Sequence, residues 1–218
     1  MIKGAVFDVD GILVDTEGLQ WKGWINVLKP LGVELTKKKY FDYAGKGVDI
    51  VAPEIKKDFN LNVSINFLVK GKEKAIMELF QGELKIVPGA REAVEFFAKK
   101  GVKLASAGGA EMKENVFKLK KVGLLHFFSV IVSGVDDVKR EKPYPDVYLL
   151  AVKKLGLKPE ECIAFEDTEY GVRAAKSAGL VCLALPNEFS VKQDFSMADG
   201  VFKNFKEALE WVKKKYEL

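Results

Sequence analysis

The sequence contains little histidine, cysteine or arginine, and each scarcity removes a class of chemistry. There is one histidine and there are two cysteines in 218 residues. His126 precedes two phenylalanines and has no acidic neighbour, so we expect carboxylates and lysines to carry any acid–base chemistry. Cys162 and Cys182 lie in apolar runs without CxxC spacing, which is typical of small buried hydrophobic residues in a reducing compartment.

Arginine occurs only at positions 91, 140 and 173, whereas a protein that binds a phosphate backbone is expected to use arginine heavily. The net charge of +4 is small and scattered, and Lys213–Lys215 is predicted to be the solvated face of a last helix. No apolar run approaches the ~18 residues that span a bilayer, and the first residues resemble a strand rather than a signal peptide. We therefore expect a cytoplasmic enzyme, monomeric or a small homo-oligomer, with no nucleic-acid or membrane partner.

Short apolar runs alternate with helical patterns over most of the chain. The predicted strands are 4–7, 102–105, 130–132, 162–165 and 181–185, and the predicted helices are 90–100, 111–122, 145–155, 170–178 and 205–215. Continuous apolar runs are typical of parallel strands that are covered on both faces. The alternation predicts an α/β fold with a doubly wound parallel sheet.

Residues 16–85 break this alternation, because they carry only helical patterns separated by glycine and proline. Seventy residues are too many for a loop in a compact domain. The sequence therefore predicts a helical cap subdomain at 16–85, inserted after the first strand of an α/β core made of residues 1–15 and 86–218.

Polar side chains follow the predicted strands, at the sheet edge where parallel α/β folds bind ligands. They are Asp8 and Asp10 after the first strand, Ser106 after the second, Lys142 beyond the third, and Glu166 and Asp167 after the fourth. Each is weak evidence alone, since an Asp after a strand is more often a turn former or a helix cap. Together, four acids would repel one another without a cation, and oxygen ligands suit Mg²⁺. A lysine and a hydroxyl beside a metal form a receptor for a phosphoryl group.

The spacing of Asp8 and Asp10 suggests a covalent route. Residues two apart in an extended segment point the same way. Asp8 is then placed to attack phosphorus as a carboxylate nucleophile while Asp10 handles the leaving-group proton. Gly11 would let the chain turn closely past the phosphate.

The segment from Phe7 to Glu17, with sequence FDVDGILVDTE, resembles the first motif of the haloacid dehalogenase superfamily. Ser106 resembles its second motif, KPYPD at 142–146 its third, and FEDT at 165–168 its fourth. This resemblance implies a Rossmann-like core with a C1-type cap that closes over the site. It implies that Asp8 is the nucleophile and Asp10 the general acid/base, with Ser106, the adjoining Ala107 and Lys142 holding the phosphate. The Mg²⁺ ligands it implies are Asp8, the Asp10 main-chain carbonyl, Asp167 and Glu166, the last either directly or through water.

Within the superfamily, the sequence is similar to β-phosphoglucomutases and sugar-phosphate phosphatases. Asp10 argues against dehalogenation, which needs no acid at that position. Gln20 stands where many mutases have a histidine, and Ile50 stands near a position where they have a basic residue, so we expect hydrolysis of a small phosphorylated metabolite. A phosphomutase and a non-catalytic phospho-ligand binding module remain alternatives. Lys46, between two glycines, is either a second contact for the substrate anion or a solvated turn lysine.

Overall fold

The computed structural model describes residues 1–82 and 84–216. The chain divides into two compact units, a core unit of Met1–Asp15 with Lys85–Leu218 and a helical unit of Thr16–Leu84. In the described part of the chain, no helix is long and apolar enough to cross a membrane.

The elements follow one another along the chain as the alternating pattern predicts, with four helices between the first two strands and the third. In chain order they are β1 (Gly4–Phe7), β2 (Val14–Asp15), α1 (Glu17–Leu28), α2 (Lys37–Tyr40), α3 (Val48–Asp58), α4 (Ile65–Gln81), β3 (Lys85–Ile86), α5 (Ala90–Lys99), β4 (Lys103–Gly108), α6 (Met112–Lys121), β5 (Val130–Ser133), α7 (Asp146–Leu155), β6 (Cys162–Glu166), α8 (Glu169–Ser177), β7 (Val181–Ala184), β8 (Gly200–Val201) and α9 (Phe205–Tyr216).

Six strands form one sheet in the order β5-β4-β1-β6-β7-β8, and every pair in it is parallel. The predicted doubly wound parallel sheet is confirmed. The two-residue strands β2 and β3 pair antiparallel outside this sheet. Like β8, they are too short to leave a periodic pattern, which explains why the sequence did not predict them.

The two faces of the sheet bury different side chains, because successive residues of a strand point to opposite faces. On one face Phe7 stacks on Phe165 with ring centroids 4.8 Å apart, and Phe97 of α5 and Phe205 of α9 pack around them. On the other face smaller residues such as Val6 pack against α7 and α8. Both faces are therefore covered, which fixes the strands and leaves the sheet edge at their carboxyl ends for polar groups.

The helical unit is built around the packing of α1 on α4. Gly71 of α4 permits a close approach, because a Cβ there would lie 3.3 Å from the methyl groups of Val27 on α1. The side chains of Thr36 and Ser64 cap the N-termini of α2 and α4 by accepting backbone N–H bonds.

Candidate active site

Asp8 is the first residue beyond β1, between the ends of the neighbouring strands β4 and β6. Its backbone N–H donates to the carbonyl of Phe165, which continues the ladder one residue past Phe7. Its side chain is buried, with a relative exposure of 5% for the residue. Burial raises the pKa of Asp8 to about 7, with Lys142 opposing that rise and the nearby charge of Glu166 adding to it.

Lys142 lies between two of the carboxylates that follow the strands. Its Nζ is 2.6 Å from Asp8 Oδ1 and 2.6 Å from Glu166 Oε1. Burial alone would lower the pKa of this lysine, but Asp8 and Glu166 raise it above its ordinary value. The ammonium group therefore stays charged, and it holds the two carboxylates close together.

Glu166, the last residue of β6, is fixed on three sides. Its Oε1 accepts the Lys142 bond and a bond of 2.5 Å from the hydroxyl of Tyr148 on α7. Its carboxylate lies directly on the backbone of Gly171 in α8, where an added Cβ would be 2.0 Å from Oε2. The side chain of Thr168 caps the N-terminus of α8 by accepting a bond from the Gly171 N–H. This cap fixes the position of Gly171 in the first turn of the helix.

Asp8, Glu166 and Asp167 form a buried cluster in which one oxygen of each lies within 4.8 Å of the others. The amide of Asn187, beyond β7, donates to Asp167 Oδ2 at 2.7 Å. The loop after β1 passes close to the same oxygen at Gly11. The φ of Gly11 is +78°, and a Cβ there would lie 2.1 Å from Asp167 Oδ2. The positive φ and the close approach both favour glycine at this position.

These residues fit a small divalent cation. The donors are carboxylate oxygens, which hard cations such as Mg²⁺ prefer, and they are buried against one another. The three carboxylates of Asp8, Glu166 and Asp167 lie together, and one lysine, Lys142, pairs with two of them. The excess of negative charge would be costly to bury without a further cation.

Ser106 lies within β4, because the strand continues to Gly108 rather than ending at residue 105. It is opposite Phe7 of β1 and Ile131 of β5 in the sheet register. Its hydroxyl is fully buried, and no hydrogen-bond partner for it is found in the described part of the chain. A buried hydroxyl without a partner is costly and is expected to bind a ligand. Ala107, the next residue of the strand, is also buried.

The carboxylate of Asp10 belongs to a separate ion cluster. Its Oδ2 is 2.5 Å from the Nζ of Lys118 on α6, and that same Nζ is 2.9 Å from Glu114 Oε1. Burial by itself lowers the pKa of Lys118, but Asp10 and Glu114 raise it above its ordinary value. The buried oxygen cluster itself is made of Asp8, Glu166 and Asp167.

In the helical unit, the candidate Lys46 precedes α3. Its Nζ is bonded to both carboxylate oxygens of Glu54, at 3.0 and 2.9 Å, so it is held by an acid within its own unit. Gln20 of α1 accepts a bond from Lys72 of α4, which is 5% exposed. A substrate contact by Lys46 stays a prediction.

Three side chains that hold the site were not found from the sequence: Lys118, Tyr148 and Asn187. For Lys118 a signal existed, since it falls on the buried face of α6 with Asn115 and Leu119, where a lysine is out of place. For Asn187 a signal also existed, since it follows the end of the fifth predicted strand, 181–185. Tyr148 lies among the apolar residues of α7, and its partner is visible only in three dimensions.

Comparison with known proteins identifies relatives across most of the chain. Residues 5–185 match the family described as haloacid dehalogenase-like hydrolase. The phosphorylated carbohydrates phosphatase of Thermotoga maritima is 34% identical over 179 residues, which are 82% of each chain. Hexitol phosphatase B of Escherichia coli is 32% identical over 190 residues, covering 85% of this chain and 84% of the relative.

The fold is also shared with solved structures. The crystal structure of CbbY from Rhodobacter sphaeroides in complex with phosphate superposes with a TM-score of 0.81. The two proteins are 28% identical, and the match covers 95% of this chain and 96% of CbbY. The similarity therefore includes both the sheet and the helical unit inserted after its first strand.

Proposed function

The chain belongs to the haloacid dehalogenase-like hydrolase family, and from this premise we propose that it is a phosphatase that hydrolyses a small phosphate monoester, such as a sugar phosphate, through an aspartyl-phosphate on Asp8. The observation that carries the proposal is the buried Asp8 carboxylate beside the Lys142 ammonium group. Asp8 supplies a nucleophile, Lys142 supplies a cation for the phosphoryl oxygens, and Ser106 supplies a hydroxyl that has no hydrogen-bond partner among the described residues. Its relatives in Thermotoga maritima and Escherichia coli, named for carbohydrate and hexitol phosphates, support this substrate class.

The reaction has two displacements at phosphorus. In the first, an oxygen of Asp8 forms a bond to phosphorus as the bond to the leaving-group oxygen breaks, and Asp10 donates a proton to that oxygen. In the second, Asp10 takes a proton from a water molecule, whose oxygen attacks phosphorus and breaks the bond to Asp8. Inorganic phosphate leaves, and both carboxyl groups return to their starting states.

Lys142 and Ser106 stabilise the charge on the transferred group. The Lys142 ammonium offers hydrogen bonds beside Asp8, and Ser106 offers a hydroxyl donor that has no competing partner among the described residues. Such donors accelerate the reaction because they are already in place when charge develops. We propose that Ala107 supports this pocket as part of the same strand.

We propose that Mg²⁺ is held by Asp8, Asp167 and the main-chain carbonyl of Asp10. Glu166 already accepts bonds from Lys142 and Tyr148, which favours a contribution through water over a direct bond. When bound, Mg²⁺ supplies positive charge that neutralises the phosphoryl oxygens and keeps Asp8 ionised.

We propose that the helical unit Thr16–Leu84 serves as the cap and carries the substrate specificity. Within it, we propose that Lys46 contacts a substrate anion, for which it would have to exchange the carboxylate of Glu54. Loss of activity towards anionic sugars in Lys46→Met, with p-nitrophenyl phosphate hydrolysis retained, would support that role.

The direct test is the release of inorganic phosphate from a panel of sugar and other small phosphate esters, with Mg²⁺ and after its removal by a chelator. We expect turnover that needs Mg²⁺ and falls by at least about 10³-fold in Asp8→Asn. Asp194→Asn is the matched control, because Asp194 is exposed and lies outside the carboxylate cluster. Equal turnover in Asp8→Asn would overturn the covalent route, and interconversion of hexose 1- and 6-phosphates without phosphate release would identify a mutase.

A further inference from the structure

Lys118 is a buried lysine whose place the mechanism above does not explain. It belongs to α6, and its side chain has no exposed surface. A buried ammonium group costs several kcal/mol unless it is paired. Here two carboxylates pair it: Asp10 Oδ2 at 2.5 Å and Glu114 Oε1 at 2.9 Å.

The two acids have different relations to the lysine. Glu114 lies one turn earlier on α6, so it fixes the position of the ammonium group relative to its own helix. Asp10 lies on the loop after β1, 108 residues earlier in the chain. The lysine therefore holds one carboxylate oxygen of Asp10 at a fixed position relative to α6.

Orientation matters for Asp10 in particular. Its side chain is 20% exposed, so it could adopt other rotamers at modest cost if nothing held it. A general acid acts only when its carboxyl lies within hydrogen-bond distance of the leaving oxygen. A bond to one oxygen fixes the direction in which the other points.

We propose that Lys118, anchored by Glu114, is a positioning residue that orients the Asp10 carboxyl for proton transfer to the leaving group. This inference rests on the proposed phosphatase function and on the role of Asp10 in it. The Nζ of Lys118 contacts Asp10 directly, so its effect on the reaction is exerted through that carboxyl.

The inference predicts a dependence on the leaving group. A sugar or alkyl phosphate releases a strongly basic alkoxide, which needs the proton from Asp10 as the bond breaks. p-Nitrophenyl phosphate releases a weakly basic phenolate, which leaves with little help. Loss of Asp10 orientation should therefore slow the first substrate far more than the second.

The experiment compares kcat/KM for the best sugar phosphate and for p-nitrophenyl phosphate in the wild type, Lys118→Met, Glu114→Gln and Lys120→Met. This ratio reports only the steps up to release of the leaving group, so it excludes the later hydrolysis of the aspartyl-phosphate. In Lys118→Met we expect a loss of roughly 10²-fold for the sugar phosphate and less than about fivefold for p-nitrophenyl phosphate. Lys120→Met, on the exposed side of the same helix, should match the wild type for both.

Glu114→Gln keeps the contact between Lys118 and Asp10 but removes its anchor, so it should show the same selectivity at a smaller magnitude. It also provides the test if Lys118→Met does not fold. Equal losses for both substrates, or no loss, in folded Lys118→Met and Glu114→Gln would overturn the positioning role. A wild type that hydrolyses none of the phosphate esters would instead overturn the proposed function, and the inference with it.

Discussion

Gly171 lies against the carboxylate of Glu166, and its replacement by alanine tests the packing of the site. In an ordinary helix this change would stabilise the protein by about 1 kcal/mol, because alanine is the better helix former. Here the new Cβ would lie 2.0 Å from Glu166 Oε2 and 2.0 Å from Cδ, far inside van der Waals contact. The carboxylate is fully buried, so it cannot relieve this contact by turning out into solvent.

The cost follows from what Glu166 would lose by moving. Its bonds to Lys142 and Tyr148 are hydrogen bonds to a charged group, worth about 1.5–3 kcal/mol each. Overpacking a dense interior costs a further ~1–3 kcal/mol. If the carboxylate shifts far enough to weaken both bonds by half, they lose about 1.5–3 kcal/mol together; with the overpacking added and the helix gain subtracted, Gly171→Ala should destabilise the core unit by roughly 1.5–5 kcal/mol. That is a fall in Tm of roughly 3–20 °C for a chain of this size.

Thermal unfolding monitored by circular dichroism measures this effect. Gly18→Ala is the control, because a Cβ at Gly18 in α1 would meet no atom within 4 Å, and its Tm should stay the same or rise. Glu166→Asp withdraws the carboxylate from residue 171, so the double variant should be more stable than the sum of the single effects by about 1–3 kcal/mol. A Gly171→Ala protein as stable as the wild type would refute the described contact.

Three further predictions concern individual side chains. Asn187→Ala should weaken Mg²⁺ activation by about 10–100-fold, because Asp167 loses the amide that orients it, as measured by phosphate release against Mg²⁺ concentration; an unchanged Mg²⁺ requirement would contradict this. Ser106→Ala should lower kcat/KM by about 10²-fold while leaving Tm unchanged or higher, since the buried hydroxyl has no partner among the described residues; a fall in Tm would show a structural role instead. Cys162 and Cys182 are buried, and burial raises the pKa of the Cys162 thiol to about 12, so both thiols should resist a thiol reagent at pH 8 until the protein unfolds; rapid labelling of the native protein would refute this.

The core of the fold could be predicted from the sequence because its signals are local. An apolar run such as Gly4–Phe7 requires burial on both faces, and alternation with helices leaves a parallel sheet as the arrangement that provides it. The carboxyl ends of β1 and β6 then lie side by side, which is why Asp8 and Glu166 could be expected near each other from spacing alone.

The contacts that hold these residues could not be predicted in the same way. Tyr148 is an ordinary aromatic residue of a buried helix face until the structure places its hydroxyl on Glu166. The contact of Lys118 with Asp10 joins residues 108 positions apart and depends on how α6 packs on the sheet. The pairing of Lys46 with Glu54 likewise depends on how α3 starts. Sequence spacing shows which residues share a strand or a helix, but not which side chains of different elements contact one another.

The central claim is that Asp8 carries the phosphoryl group during turnover. The most direct measurement is to quench the enzyme during hydrolysis of its best phosphate ester, reduce it with borohydride, and map the product by peptide mass spectrometry. Reduction of an aspartyl-phosphate converts that residue to homoserine, so we expect homoserine at position 8 only when substrate is present. An enzyme that turns over substrate with position 8 unmodified, or with the modification at Asp10, would contradict it.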